Sequence, residues 1–388
     1  MINLHEPKFL GNEKRYLNEC LKSGWISTSG TFINKFEEKI KKYTKSRHCV
    51  AMNSCTSSLH LALKLVGVKK DDEVITSTIS FISPINAIKY NNANPIFMDV
   101  DENLNIDELK TIDFINNETF FKNGFTYNKY TKKRISAIII IHVFGNAVKF
   151  DELFVLSKKR NIKIIEDAAE SLGTFFKKGK FKNKHTGTVG DIGCLSFNGN
   201  KIITSGGGGS IITNNRKYKE QALYLASQAK NDSINFIHNN IGYNYRISNL
   251  HASIGLGQFE SINKILKLKK NIHKNYNINF KNFTLASIIS SNSYSKSNYW
   301  LNILKLTEPN RKLINKIVTV LQNKNIILRP LWKLNHLQNV YLKSQKYKIE
   351  KANIYSDSIL CLPSSFFLKN KEVIKISNLI KKVIESNK

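Results

Sequence analysis

Phe32, Phe36, Ile40 and Tyr43 recur at helical spacing, so the chain near its start predicts an amphipathic helix over 32–43. Another helix is predicted over 12–21, and the loop Gly24-Trp-Ile-Ser-Thr-Ser-Gly30 lies between them. The pattern then changes to short apolar runs at 49–52, 73–76, 94–99, 136–142 and 162–166, each bounded by small or polar residues. Runs of this length alternating with helical stretches predict buried, mainly parallel strands covered by helices on both faces. Residues 122–134, rich in Asn, Tyr, Lys and Thr, predict an exposed hairpin or loop. Beyond about 260 the pattern becomes a lysine-rich helix at 262–276 and shorter strands such as 299–306. The expected architecture is α/β, with an N-terminal segment and large domain over 1–260 and a smaller α+β domain over 261–388. In such a sheet, ligands lie at the carboxyl ends of the strands.

With 388 residues, 41% of them hydrophobic, the chain has enough apolar material for one large core or two domains. Its net charge of +31 would suit a polyanion partner. However, only eight positions are arginine, and Lys, Asn and Ile recur together along the whole length, as in Leu321-Gln-Asn-Lys-Asn-Ile-Ile327. A drift of that kind is a compositional bias rather than a binding stripe, so no nucleic-acid partner is expected. The 5 cysteines form no CxxC pair and no Cys/His cluster with metal spacing, which predicts no metal site and a reduced, cytoplasmic setting. No apolar run approaches the roughly eighteen residues a bilayer span requires, so no membrane association is expected.

The chemistry concentrates on two segments. Asp167 ends the strand-like run Ile162-Lys-Ile-Ile-Glu-Asp167, which puts its carboxylate at the sheet edge. Lys201 lies in Leu195-Ser-Phe-Asn-Gly-Asn-Lys201-Ile-Ile-Thr-Ser-Gly206, followed by glycines to Gly209. Alone, Asp167 also fits a helix N-cap before Ala168-Ala-Glu-Ser, and Lys201 a surface lysine. Together, a lysine among apolar residues and a strand-end aspartate are what pyridoxal phosphate chemistry requires. The amine forms a Schiff base with the cofactor aldehyde, and the carboxylate keeps the pyridine nitrogen protonated. Cys55-Thr56-Ser57 opens a helix, where unpaired amides and hydroxyls suit a phosphate as well as an ordinary polar cap. Phe81 could stack on a cofactor ring or belong to the core, and His142 reads as a packing or loop histidine. Arg246, in Gly242-Tyr-Asn-Tyr-Arg246, suits an anion or a salt bridge.

These segments, with Glu166-Asp-Ala-Ala-Glu-Ser171 and Gly190-Asp-Ile-Gly193, resemble the sugar-nucleotide aminotransferases of the DegT type, within the aspartate-aminotransferase-like (fold type I) pyridoxal phosphate enzymes. The resemblance spans nearly the whole chain and makes residues 1–260 the cofactor-binding part. It implies Lys201 as the Schiff-base lysine, Asp167 at the pyridine nitrogen and Glu170 near the phenolic oxygen. It further implies Cys55, Thr56 and Ser196 at the phosphate, Phe81 at the ring-stacking position, and Asn244 reaching the phosphate of a neighbouring subunit, hence a homodimer with shared active sites. Cys55 and Asn198 depart from the Gly and His that many relatives carry there.

The run Arg329-Pro-Leu-Trp-Lys-Leu-Asn-His336 and Cys361-Leu-Pro-Ser-Ser365 are most similar to the branch making 4-amino sugars for legionaminic acid, with the perosamine branch as its neighbour. The implied reaction moves an amine from L-glutamate to carbon 4 of a UDP- or GDP-linked 4-keto-6-deoxy sugar. Arg246, Arg329, Trp25 and Ser27 are the candidate substrate contacts. Two rivals stay open: a sugar dehydratase of the same fold, disfavoured because dehydratases carry histidine where this chain keeps Lys201, and a cofactor-binding regulatory protein without turnover.

Overall fold

The computed structural model describes residues 1–387. Its main sheet runs in the order His48–Met52, Gly209–Thr213, Ile192–Ser196, Lys163–Asp167, Arg134–Ile141, Glu73–Ser77, Asn94–Met98 and Lys346–Tyr347. From Ile192–Ser196 outward to Lys346–Tyr347 every pairing is parallel, whereas Gly209–Thr213 is antiparallel to both its neighbours. Nearly every residue of the central strands is buried, which explains why they read as continuous apolar runs rather than alternating ones. The α/β architecture with a mainly parallel sheet is therefore the one the pattern predicts. The antiparallel strand Gly209–Thr213 is not signalled by periodicity, because it emerges directly from the glycine run.

The predicted hairpin is present but begins earlier, as Thr119–Lys122 paired with Phe125–Asn128, and it joins the main sheet through Thr126 opposite Ile135. The helix expected to open at Cys55-Thr56-Ser57 runs over Cys55–Leu65, and at its start the Ser54 hydroxyl accepts the Ser57 N–H at 3.1 Å. This serine cap places Cys55 and Thr56 in the first turn. Most of the helix is buried, including Leu59, Leu61 and Leu63, and it packs chiefly on the strands Ile192–Ser196 and Gly209–Thr213.

A second sheet, wholly antiparallel, has the order Ala286–Ile288, Asn302–Leu306, Ile359–Leu362, Arg329–Pro330. The helices Ile262–Phe280, Arg311–Gln322 and Asn370–Glu385 pack their apolar faces on it, with Ile272, Ile314, Ile317, Ile376 and Ile380 in one core. Chain is exchanged between the two bodies. Ile2 bonds to Asn325 and Ile327 beside the small sheet, and Lys346–Tyr347 adds a strand to the large one. Asn335 reaches back as well, donating through Nδ2 to the Thr78 carbonyl at 3.2 Å and the Ser80 carbonyl at 3.1 Å. These ties fix the small body over the carboxyl edge of the large sheet.

Candidate active site

A cavity of ≈ 340 Å³ opens at that edge, within the size range of small-ligand sites. The parallel strands deliver Ile141, Asp167 and Ser196 to it from their carboxyl ends. The loop after Glu73–Ser77 delivers Ser80, Phe81 and Ser83, and the start of helix Cys55–Leu65 delivers Cys55 and Thr56. Glu170, Lys201, Trp300 and Trp332 complete the lining. Seven of the residues singled out from sequence thus meet in one space: Cys55, Thr56, Phe81, Asp167, Glu170, Ser196 and Lys201.

The site is electrostatically uneven. Asp167 and Glu170 are both buried, at 5% and 7% exposure, and burial pushes both carboxyls up from their ordinary range against the opposing charge of Lys201. A buried carboxylate is costly unless a cation faces it. Glu170 has one, since the Lys201 ammonium lies 3.4 Å from its Oε1, while its Oε2 accepts the Phe144 N–H at 2.8 Å. Among the described residues, the Asp167 carboxylate accepts a single hydrogen bond, from the Ala169 N–H at 3.0 Å. Its environment therefore calls for a protonated partner such as a pyridinium. Lys201 is also held from another side, with Nζ 4.0 Å from the centre of the Trp300 ring, and the Trp300 Nε1–H is donated to the Asn200 carbonyl at 2.7 Å.

Glu166, beside Asp167, does a different job. Burial would raise its carboxyl, but the His142 hydrogen bond at 2.9 Å and the N–H groups of Gly190 and Gly187 outweigh that and hold it below the usual range. His142 Nδ1 accepts the Val148 N–H at 3.1 Å, so the ring proton sits on Nε2 and is donated to Glu166. His142 is thus the packing histidine the sequence suggests, and it braces the strand end that carries Asp167.

The donor set fits pyridoxal phosphate on an observation independent of the lysine. The Cys55 and Thr56 N–H groups take no partner among the described residues, as expected of unpaired donors at a helix start. A Cβ on Gly209 would lie 2.5 Å from the Cys55 nitrogen and 2.5 Å from the Ser54 carbonyl carbon. That contact shows strand Gly209–Thr213 pressed against the turn, so the amides are presented by a rigid cradle suited to an anion. The Thr56 hydroxyl is anchored to Ser83 Oγ at 2.5 Å. Burial pushes the Cys55 thiol well above its ordinary range, so it adds no negative charge to repel a phosphate.

The other candidates lie elsewhere. The Arg246 guanidinium is engaged inside the protein, 2.8 Å from Glu37 Oε1 and 3.0 Å from the Ala51 carbonyl, so the salt-bridge reading describes it and the substrate contact does not. Arg329 sits exposed on the small sheet, outside the cavity. Trp25 and Ser27 are exposed on the N-terminal loop, where their carbonyls accept from Asn249. Asn244 is exposed, and only its carbonyl is engaged, by Asn53 Nδ2 at 3.1 Å. None of these five lines the cavity within one chain. Conversely, Trp300 and Trp332 line it without having been assigned a role from sequence. Their signal was rarity, as two of the chain's 3 tryptophans.

Comparison with known proteins agrees with this geometry. Residues 8–381 match the DegT/DnrJ/EryC1/StrS aminotransferase family. GDP-perosamine synthase of Escherichia coli O157:H7 is 34% identical over 386 residues, covering 98% of this chain and 97% of that protein. UDP-4-amino-4,6-dideoxy-N-acetyl-beta-L-altrosamine transaminase of Campylobacter jejuni (strain 81-176) is 30% identical over 279 residues, covering 70% and 68%. Among solved structures, Spr1654 from Streptococcus pneumoniae in its PLP-form shares the fold at a TM-score of 0.86 and 22% identity, over 98% of each chain. With the lysine, the aspartate and the anion cradle in one cavity, the chain belongs to the DegT/DnrJ/EryC1/StrS family and is a pyridoxal phosphate-dependent sugar-nucleotide aminotransferase.

Proposed function

We propose that this enzyme transfers the amino group of L-glutamate to carbon 4 of a nucleotide-linked 4-keto-6-deoxy sugar. The observation that carries the reading is the meeting of Lys201, Asp167 and Glu170 with the unpaired amides of Cys55 and Thr56 in a single cavity. The amides, with the hydroxyls of Thr56 and Ser196, would hold the cofactor phosphate. Phe81 would cover one ring face, and Asp167 would keep the ring nitrogen protonated. When bound, pyridoxal phosphate supplies an electron sink and carries nitrogen between donor and acceptor. Lys201 Nζ is the group placed to take a proton from the donor carbon and to return one to the acceptor carbon. Glu170, charge-paired with Lys201, holds that amine in position.

The sugar is either the GDP-linked perosamine precursor or a 2-acetamido sugar of the legionaminic type. Relatives named GDP-perosamine synthase, at 34% and 32% identity, favour the first, and the run from Arg329 to His336 was the sequence argument for the second. A homodimer belongs to the same proposal. It is supported by the exposure of Trp25, Phe236 and Ile241, apolar residues that would be covered by a second copy, and by the position of Asn244 outside its own cavity. No helix among the described residues is long and apolar enough to cross a membrane, which accords with the cytoplasmic setting we propose.

The test incubates the purified enzyme with pyridoxal phosphate, L-glutamate and either GDP-4-keto-6-deoxymannose or 4-keto-6-deoxy-N-acetylglucosamine linked to UDP or to GDP, with mass detection of the amino sugar. Amination of one of the two sugars, abolished in Lys201→Ala, is expected. Conversion of glutamate to 2-oxoglutarate without amination of either sugar would reject the substrate class.

A further inference from the structure

The phosphate cradle, the ring clamp and the lysine leave one part of the cavity wall without a task, the side formed by Trp300 and Trp332. The Trp300 ring is committed to Lys201, and it is almost wholly buried at 3% exposure. Trp332 is only partly buried. Its ring is backed by Phe144, whose centroid lies 4.9 Å away at an interplanar angle of 25°. Phe144 also lies 6.3 Å from Trp300 at 23°, so the three rings form a continuous stack. Phe81 meets Trp332 edge-on at 6.3 Å.

The stack is rigidly held. Phe144 is fully buried in a left-handed backbone conformation, with φ at 54°, and its N–H is fixed by Glu170. A bulky residue adopts that conformation only where the surroundings impose it, and such sites cluster at ligand-binding positions. Three residues beyond Trp332, Asn335 bolts the segment to Thr78 and Ser80 on the loop that carries Phe81. The cavity thus presents a preorganised aromatic surface that the cofactor contacts do not account for.

We infer that Trp332 is the platform for the sugar ring of the acceptor and sets the enzyme's affinity for it. This rests on the proposed nucleotide-sugar reaction. The carbon to be aminated must come within reach of Lys201, so the hexose shares the cavity with that lysine, while the base stays farther out behind the diphosphate. A hexose offers a face of C–H groups, which an indole covers with large contact area and little loss of side-chain freedom. Glutamate has no such face and gains little from the platform.

The test compares wild type, Trp332→Ala and Trp332→Phe in the two half-reactions, using glutamate and whichever of these 4-keto sugar nucleotides wild type aminates. For Trp332→Ala the KM of the sugar nucleotide should rise on the order of tenfold relative to the KM of glutamate, with Trp332→Phe in between. Retention of the bound-cofactor absorbance verifies that the variants fold. Equal changes in both KM values, or none in either, would overturn the inference. Failure of wild type to aminate either sugar overturns instead the reaction on which it rests.

Discussion

Replacing Gly209 by alanine tests the anion cradle most directly, because the added methyl meets backbone rather than a movable side chain. Its carbon would lie 2.5 Å from the Cys55 nitrogen and 2.5 Å from the Ser54 carbonyl carbon and oxygen, whereas ordinary contact begins at 3.4 Å. The two segments must therefore part by roughly 0.9 Å, the difference between those distances. Gly209 is held in register opposite Met52 on one side and Ser196 on the other, so the helix start gives way more readily than the strand. A shift of that size spoils one amide-to-phosphate hydrogen bond, worth about 1.5–3 kcal/mol when the acceptor is charged. Pyridoxal phosphate should then bind roughly 10- to 100-fold more weakly, read as the dissociation constant in a spectral titration of the cofactor-free protein. Gly199→Ala, where an added methyl meets nothing within 4 Å, serves as the control. A Gly209→Ala protein that melts lower, as overpacking by about 1–3 kcal/mol would produce, yet binds the cofactor as tightly as wild type would refute the cradle.

Lys201→Ala should lack the visible absorption of the cofactor-loaded protein and all transamination while keeping its fold, checked by spectrum and circular dichroism. Because burial raises the folded-state carboxyl of Asp167 above its unfolded value, its protonated form contributes stability to the cofactor-free protein that is present at low pH and lost as pH rises through the folded-state value. Cofactor-free Asp167→Asn should therefore gain melting temperature over wild type as pH is raised from about 4, the ordinary carboxyl range, to neutrality, yet lose transamination by at least ~100-fold. A difference in melting temperature that stays flat with pH would contradict this. Glu166→Gln swaps an acceptor-only group for an amide facing the N–H groups of Gly187, Val189 and Gly190, and should cost about 2–4 kcal/mol in urea unfolding.

The sequence by itself determined the layered α/β architecture, since strands buried on both faces must be written as continuous apolar runs. It also marked Lys201 and Asp167, because their chemistry is carried by residue type and by position at a strand end. Cys55 and Thr56 were legible for a similar reason: a serine cap and a helix start are local events. What it could not decide were contacts that depend on distant segments meeting. Arg246 looks like an anion ligand in its own pentapeptide, but it folds against Glu37, more than two hundred positions away. Trp332 belongs to a short run near the second sheet, and its place in the cavity that holds Lys201 goes with Asn335 docking on Thr78 and Ser80. Local pattern records which groups are present and which face they occupy on their own element. Only the packing of one body on the other decides which of them share a cavity.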